Sequence, residues 1–129
     1  MTAGRGQSAG NLATLLIEEK VGSVVIEEDD RPVGIVTDRD LVKEVLEPRL
    51  DAKSTTAEDV MTETPVTVTL DGGVFEATAT MYEHAVRRIP VVDGEGEIAG
   101  ILTLDDVLVL LAEELSNVAG VIEAESPPY

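Results

Sequence analysis

Two pairs of threonine and aspartate at the same spacing are the residues of this chain best placed to do chemistry. Thr37 precedes Asp40 as Thr103 precedes Asp106, and each pair follows a glycine and two apolar residues. A carboxylate at such a helix start can accept hydrogen bonds from both ribose hydroxyls, while the threonine and the free helix amides face a phosphate. The same spacing also fits a capping box, which only satisfies the first amides of a helix. The sequence leaves both interpretations open.

Positive charge is concentrated beside one of the predicted strands. Arg87 and Arg88 are adjacent and His84 lies close by, while Arg39 and Lys20 are the candidates in the first half. A strongly acidic chain that binds an anion needs such local charge, so these five residues are predicted phosphate contacts. The alternative to phosphate binding is that these arginines form surface ion pairs with neighbouring carboxylates, which is the more usual role of exposed arginines. Because the first half lacks arginines at the equivalent positions, we expect the second half to form the tighter anion site.

These candidate residues belong to an internal duplication. Gly34 and Gly100, 66 positions apart, each begin the pattern Gly-apolar-apolar-Thr-x-x-Asp-apolar. A repeat of this length predicts two similar half-domains that bury their apolar faces against each other in one α/β (α+β) unit. The predicted segments are a first repeat at 8–47, a connector at 48–59, a second repeat at 60–116 and a tail at 117–129.

Hydrophobic spacing places the elements of each half. Strands are predicted at 24–26, 32–36, 65–70, 89–92 and 98–102, and helices at 11–21, after Thr37, around Met81 and from 103 to about 116. The helix around Met81 is predicted to contain Phe75, Ala79 and Tyr82 as further apolar residues. Residues 1–7 show no strand pattern, so only the second half is expected to have a full leading strand.

Composition limits the function classes. Asp and Glu number 26 against 9 Lys and Arg, so the net charge of −17 disfavours nucleic acid as a partner. The chain has no cysteine and one histidine, which gives no thiolate site and no metal set. No nucleophile with a base supports an enzyme, and no apolar run approaches the length of a membrane span. We expect a non-catalytic cytoplasmic protein.

Together these segments resemble the CBS domain family, the cystathionine-β-synthase-type repeats that pair into a Bateman module. The matching stretches are 21–26, 32–41, 59–66, 86–93 and 100–107. The resemblance implies two tandem β-α-β-β-α repeats that pack through their sheets with pseudo-twofold symmetry, here with the first strand of repeat one shortened. It also implies two clefts that bind AMP, ADP, ATP or S-adenosylmethionine, a regulatory role, possible control of a protein partner, and dimers formed through helices. The acidity suggests a stand-alone pair of haloarchaeal type.

The resemblance also implies which residues would bind the ligand. Asp40 and Asp106 would hold ribose, with Thr37 and Thr103 near ribose or phosphate. The adenine would be framed by the strand backbone around Thr62, Pro65, Val66, Ile89, Pro90 and Val91, with Arg88 beside them. Because Val25 stands where the second repeat has Pro90, the second site is expected to be the better one. The alternative function is a ligand-free interaction module whose Thr-x-x-Asp elements are only helix caps.

We expect the stability of this chain to rise steeply with salt. Repulsion among so many carboxylates opposes the compact state, and the Debye length shortens from about 30 Å at 0.01 M salt to about 3 Å at 1 M. Thermal unfolding should therefore have a higher midpoint in multimolar KCl than in low salt. An unchanged midpoint would contradict a halophilic working environment and leave an ordinary acidic protein.

Overall fold

The computed structural model describes residues 1–63 and 66–125, which form two small sheets with helices packed on them. The strands are β1 Thr2–Gly4, β2 Ser23–Glu28, β3 Arg31–Thr37, β4 Thr62–Glu63, β5 Val68–Thr69, β6 Arg88–Val92 and β7 Ile98–Thr103. The helices are α1 Ala9–Glu18, α2 Asp38–Leu41 with a π-helical continuation Val42–Leu46, α3 Ala57–Val60, α4 Val74–His84 and α5 Leu104–Glu125.

Each half of the chain builds one sheet with the same connection. The first has the order β1-β2-β3-β4 and the second the order β5-β6-β7. In both, the leading strand runs parallel to the next, and that strand forms an antiparallel hairpin with the third. Strand β4 follows the first repeat and pairs antiparallel with β3. The segment from β4 to β5 therefore contributes to both sheets.

The duplication extends to individual hydrogen bonds. The amide of Asp38 donates to the carbonyl of Gly22 at 3.3 Å, and the amide of Leu104 donates to the carbonyl of Arg87 at 2.8 Å. Each hairpin also has a register shift at the same place, between Ile26 and Glu27 and between Val91 and Val92. The two halves are thus copies of one arrangement, with the extra residue in the second hairpin turn.

The hairpin turns of the two halves meet. The amide of Ile98 donates to the carbonyl of Asp30 at 2.8 Å, and the guanidinium of Arg31 lies against Gly96. Asp29 and Asp30 both have positive φ, as the two central residues of a type I′ turn do. The first hairpin therefore ends in a turn of only two residues, and the carbonyl of Asp30 in this turn bonds to the second repeat.

The apolar core is larger in the first half than in the second. Among the described residues, eleven buried ones cluster around Leu12, Val24, Ile26 and Val36, whereas the cluster of the second half has three, Met81, Ile89 and Val107. In helix α4, Met81 is buried, whereas Phe75 and Tyr82 are not. Both rings are exposed, because the side of α4 that meets the sheet is formed by Ala77 and Met81.

Three expectations are corrected. Residues 2–4 form strand β1, because their backbone pairs with β2 although their side chains show no strand pattern. The strand predicted at 65–70 is only Val68–Thr69 among the described residues, and Thr64 and Pro65 lie outside them. The last helix continues to Glu125 instead of ending near 116, because no proline or capping signal stops it there.

Threonine and aspartate begin three helices of the described chain. In α2 the amide of Thr37 donates to Asp40 Oδ2 at 2.8 Å, and the amide of Asp40 donates to Thr37 Oγ1 at 3.1 Å. The same two bonds, at 3.2 and 3.1 Å, join Thr103 and Asp106 at the start of α5. At α3, Asp59 Oδ2 accepts bonds from the amide of Thr56 at 2.9 Å and from its hydroxyl at 3.1 Å. All three aspartates therefore stabilise helix starts.

The two equivalent glycines have different surroundings. A Cβ added to Gly34 would lie 2.5 Å from Met61 Sδ and 3.1 Å from Met61 Cβ, whereas one added to Gly100 would meet nothing within 4 Å. Gly34 is therefore required by the close approach of Met61, the residue just before β4. Both glycines lie opposite the register shifts of their hairpins.

We predict that Gly34→Ala destabilises the chain by about 1–3 kcal/mol, the usual cost of forcing an extra methyl group into a packed site. Gly100→Ala is the matched control and should be neutral or slightly stabilising, since alanine loses less backbone entropy than glycine in a strand. Denaturant midpoints at fixed salt measure both. Equal effects of the two substitutions would contradict the contact with Met61.

We predict a pH-dependent contribution from the cap of α3. The backbone amide of Thr56, followed by its hydroxyl, hydrogen-bonds the Asp59 carboxylate and holds its pKa below the usual value. Asp59→Ala should therefore be less stable than the parent chain at neutral pH. The difference should shrink as pH falls below about 4, because the unfolded chain binds the proton of this carboxyl first, and it should vanish below the lower pKa of the folded chain. Urea unfolding at pH 7 and pH 3 tests this, and a constant difference would contradict it.

Candidate functional site

A cavity of about 480 Å³ lies between the two repeats. This volume is within the usual range of small-molecule sites, about 300–1,000 Å³. Its wall combines carboxylate, guanidinium, hydroxyl and aliphatic groups from both halves. The lining residues are Ile35, Thr37, Asp40, Thr62, Glu63, Val66, His84, Val86, Arg87, Arg88 and Ile89.

Each side of the cavity is positioned by a separate element. The end of β3 and the start of α2 contribute Ile35, Thr37 and Asp40 from the first repeat. The opposite wall is the segment 86–89, which enters β6 of the second repeat. The connecting segment crosses between them, and its Thr62 pairs with Ile35 in the first sheet. Residues far apart in the chain are therefore brought to one site by strand pairing.

Asp40 can act as a helix cap and still bind a ligand. Its Oδ2 accepts the amide of Thr37, and no hydrogen bond within the described part of the chain involves its Oδ1. Thr37 Oγ1 accepts the amide of Asp40, which leaves the hydroxyl proton of Thr37 free to donate. The capping box therefore orients Asp40 Oδ1 and the hydroxyl proton of Thr37, and both remain available to hydrogen-bond a ligand. The two interpretations of the sequence are compatible at this position.

Arg87 and Arg88 differ in their exposure and in their ion pairs. Arg87 forms an ion pair with Asp105 at 3.7 Å, and both side chains are largely exposed. Arg88 is half-buried and reaches Gly22, and within residues 1–63 and 66–125 no carboxylate lies within 4.0 Å of it. A side chain at position 22 would crowd this guanidinium, since a Cβ there would lie 3.1 Å from its Nη2. Arg88 is thus a cation of the cavity wall that is available to an anionic group.

Aliphatic side chains make up the remaining wall. Ile35, Val66, Val86 and Ile89 come from three different stretches of the chain, and Ile89 is almost fully buried. Such a surface suits the flat face of an organic ring, while the polar groups at its edges fix the orientation of the ring. The site therefore offers contacts to a molecule with a ring, hydroxyls and an anionic group.

The structure gathers some of the sequence-predicted site residues and separates others. Thr37, Asp40, Thr62, Val66, His84, Arg87, Arg88 and Ile89 line the cavity. Five predicted residues do not line this cavity, namely Thr103, Asp106, Pro90, Arg39 and Lys20. Val91 lines a smaller cavity of about 180 Å³ inside the second repeat. Pro65 lies outside the described residues.

The expectation that the arginines favour the second-half motif is corrected. Arg88 shares its cavity with Asp40 of the first repeat and not with Asp106. The reason is the packing of the halves, which turns the entry to β6 towards the start of α2. Arg87 is the only one of the pair to approach the start of α5, through Asp105. The first-repeat motif is therefore the one with a nearby guanidinium.

Three lining residues were missed by the sequence analysis, namely Ile35, Glu63 and Val86. Strand alternation could have found the first, since Ile35 lies two positions before Thr37 and so shares its face. Glu63 and Val86 are neighbours of predicted residues, and only the placement of the connecting segment shows which of them faces the cavity. Glu63 adds a second carboxylate that can accept hydrogen bonds.

Other kinds of site find no support in the described residues. Nowhere in the described ranges do three His, Asp or Glu side chains group so that they could hold a metal ion. Among the same residues, no helix has the length and apolarity needed to cross a membrane.

Comparison with known proteins agrees with this architecture. The family model of the CBS domain matches residues 1–47 and 57–113. An uncharacterized protein of Methanopyrus kandleri is 38% identical over 109 residues, which are 84% of this chain and 56% of that protein. The chain thus spans about half the length of this relative, and smaller shares of others.

Two solved structures are similar to the whole paired arrangement. A CBS domain protein of Pyrobaculum aerophilum complexed with AMP has a TM-score of 0.75 at 27% identity, covering 88% of this chain and 91% of that one. CBSX2 in complex with AMP has a TM-score of 0.72 at 28% identity, covering 88% of each chain. With both of its repeats matched by the family model, the chain belongs to the CBS domain family.

Proposed function

We propose that this chain is a regulatory module that binds an adenine nucleotide in the cavity between its repeats. The observation that carries the proposal is the meeting of Asp40 and Arg88 across one aliphatic cavity. In the proposed complex, Asp40 Oδ1 accepts the ribose hydroxyls and Arg88 binds the phosphate, with Arg87 and His84 at the edge. The adenine lies against Ile35, Val66 and Ile89.

The choice of ligand class rests on these contacts together with the relatives. Two structurally similar CBS proteins have been solved with AMP. AMP, ADP, ATP and S-adenosylmethionine all share the adenosine unit that the cavity would recognise. Among the three nucleotides, one free guanidinium facing two carboxylates, Asp40 and Glu63, favours the one with the fewest phosphates. AMP is therefore the first ligand to test.

Thr103 and Asp106 are proposed as a weaker second site. They repeat the cap geometry of the first motif, and one oxygen of Asp106 remains without a hydrogen bond in the described chain. Asp106 is exposed, however, and no free guanidinium accompanies it as Arg88 accompanies Asp40. Binding there would have to rely on Pro90, Val91 and the helix start.

The proposed setting is a salt-rich cytoplasm, with no catalysis, no nucleic acid and no membrane involved. The boundaries 8–47 and 60–116 remain the proposed repeat limits, with the connector between them. The module is proposed to act as a homodimer that passes a nucleotide-dependent change of shape to a protein partner. A ligand can drive such a change only through different affinities for the two states.

We predict that Asp40→Ala lowers the affinity for AMP by about tenfold to a hundredfold, since a hydrogen bond to a charged group contributes about 1.5–3 kcal/mol. Calorimetric titration in multimolar KCl measures this directly, and GTP serves as the comparison ligand. In the parent chain, AMP at 100 times its Kd should add about 2.7 kcal/mol of stability and raise the thermal midpoint by several degrees.

Asp59→Ala is the matched control, because Asp59 caps α3 in a similar way and lies outside the cavity. It should lose stability and keep AMP binding. Asp106→Ala reports on the second site in the same assay. No response to AMP, ADP, ATP, S-adenosylmethionine or NAD would contradict the proposal and leave the alternative, a ligand-free interaction module. Binding that survives Asp40→Ala and Asp106→Ala together would contradict the ribose assignment.

A further inference from the structure

One face of the first repeat is covered by the connecting segment, residues 55–63. Amides of this segment donate to the carbonyls of Arg5 and Gln7 at 3.1 and 2.8 Å, and the amide of Ala9 donates to a carbonyl of the segment at 2.8 Å. Two side chains of the segment, three positions apart, are buried against the first core cluster, namely Ala57 and Val60. The first repeat therefore binds a short peptide segment through three backbone bonds and two apolar side chains.

The second repeat has the same backbone arrangement 65 positions later. The amide of Gly72 donates to the carbonyl of Thr69 at 3.0 Å, as the amide of Gln7 donates to the carbonyl of Gly4 at 3.2 Å. Both bonds lie in the loop that leads from the first strand of the repeat into its first helix. The groups that bind the connecting segment in the first repeat therefore have counterparts in the second.

Those counterparts are open. In the described part of the chain, the carbonyls of Leu70 and Gly72 and the amide of Val74 take part in no hydrogen bond. A cavity of about 180 Å³ lies beside them, and we name it the α4 groove. Four apolar residues of its wall are only half-buried, although their counterparts in the first repeat are buried, namely Val68, Val74, Val91 and Leu102. Half-buried apolar residues around an open groove indicate a contact surface.

Gly100 continues this open surface along β7. Its counterpart Gly34 lies against Met61 of the connecting segment, whereas a side chain at position 100 would meet nothing within 4 Å. In the first sheet β4 pairs with the outer edge of β3, but among the described residues no strand pairs with the outer edge of β7. An unpaired edge can accept a strand from another chain. Both parts of the site that the connecting segment fills are thus open in the second repeat.

The filled site and the charges around the open one indicate what the groove binds. By analogy with the connecting segment, the occupant forms one helical turn with two apolar side chains and continues as a short strand. Arg5 forms an ion pair with Glu58 of the connecting segment at 3.5 Å, but the counterpart of Arg5 is the exposed Leu70. The counterpart of Asn11 is Glu76, which lines the groove. The open site therefore favours a segment that is apolar in place of Glu58 and basic near Glu76.

We propose that the α4 groove docks a short segment of a partner protein, apolar and basic in character. This inference rests on the protein partner included in the proposed function and names the place where it binds. A second copy of the chain is a poor occupant, because its own segment 55–63 has three acidic residues and no basic one and is already bound in its own first repeat. The groove and the nucleotide cavity share no lining residue, so the two binding events are measured separately.

A peptide tests the groove on the full chain. The probe is a dye-labelled peptide with the sequence of residues 52–63, in which Glu58→Leu supplies the apolar residue and Lys53 the positive charge. Fluorescence anisotropy in multimolar KCl should show saturable binding. Gly100→Ala should weaken it by about tenfold or more, because the added methyl group occupies the space of the peptide methionine. Gly94→Ala is the matched control in the hairpin turn, where a Cβ also meets nothing within 4 Å, and it should not change binding.

Hydrogen exchange of single amides separates the other occupants. The amide of Val74 should exchange quickly in the dilute parent chain and slowly with saturating peptide, whereas the bonded amide of Ala9 is slow in both. Slow exchange of Val74 in the dilute chain alone would overturn the proposal, because the chain would cover its own groove. Slowing only in concentrated chain would overturn it in favour of a second copy.

The variants decide the remaining outcomes. A peptide that does not bind, or that binds equally well to Gly100→Ala and the parent chain, overturns the proposal. If Gly100→Ala fails to fold, Leu70→Glu at an exposed position repeats the test and should also weaken binding. AMP titration of both variants should match the parent chain. Loss of peptide docking and loss of nucleotide binding are therefore distinguishable.

Discussion

The pairing of one short segment with both sheets is the constraint on which the rest of the structure depends. Thr62 and Glu63 pair with β3, and five residues later Val68 and Thr69 pair with β6. Because the segment is bonded on both sides, these strand pairs limit how far the two repeats can move apart. Gly34 permits this arrangement, since its missing side chain lets Met61 lie against β3 just before β4 begins. The cavity is the space that this double pairing leaves between the sheets.

Identical local structure does not produce identical chemistry in this chain. Thr37, Thr56 and Thr103 each bond to an aspartate three residues later, so the pattern by itself reports only how a helix begins. What separates Asp40 from the other two is its surroundings: aliphatic walls, a half-buried position and a guanidinium across the gap. The proposal that Asp40 binds a ligand therefore depends on the tertiary surroundings of Asp40 and not on the Thr-x-x-Asp pattern.

This explains what could be predicted from the sequence. The duplication, both hairpins and the extra residue in the second turn follow from local spacing, and bonds such as that from Asp38 to Gly22 repeat at the equivalent place. The presence of Arg88 and Asp40 in one cavity could not be predicted, because it depends on how one repeat faces the other. The side-chain pattern does not reveal strand β1, which only the family resemblance implies as a shortened strand, because parallel pairing of three residues uses the backbone and needs no apolar alternation. The end of α5 was missed because the apolar spacing continues past Ser116 and no residue there stops a helix.

The position of the free guanidinium reconciles the acidity of the chain with an anionic ligand. At −17, the chain as a whole repels phosphate, and this repulsion acts over many ångströms when salt is low. Concentrated salt screens the distant carboxylates, but it would also weaken a fully exposed contact between arginine and phosphate. Arg88 is half-buried beside Gly22, where ions have less access, so salt removes more of the repulsion than of the local attraction. High salt can therefore favour both folding and binding in a chain of this charge.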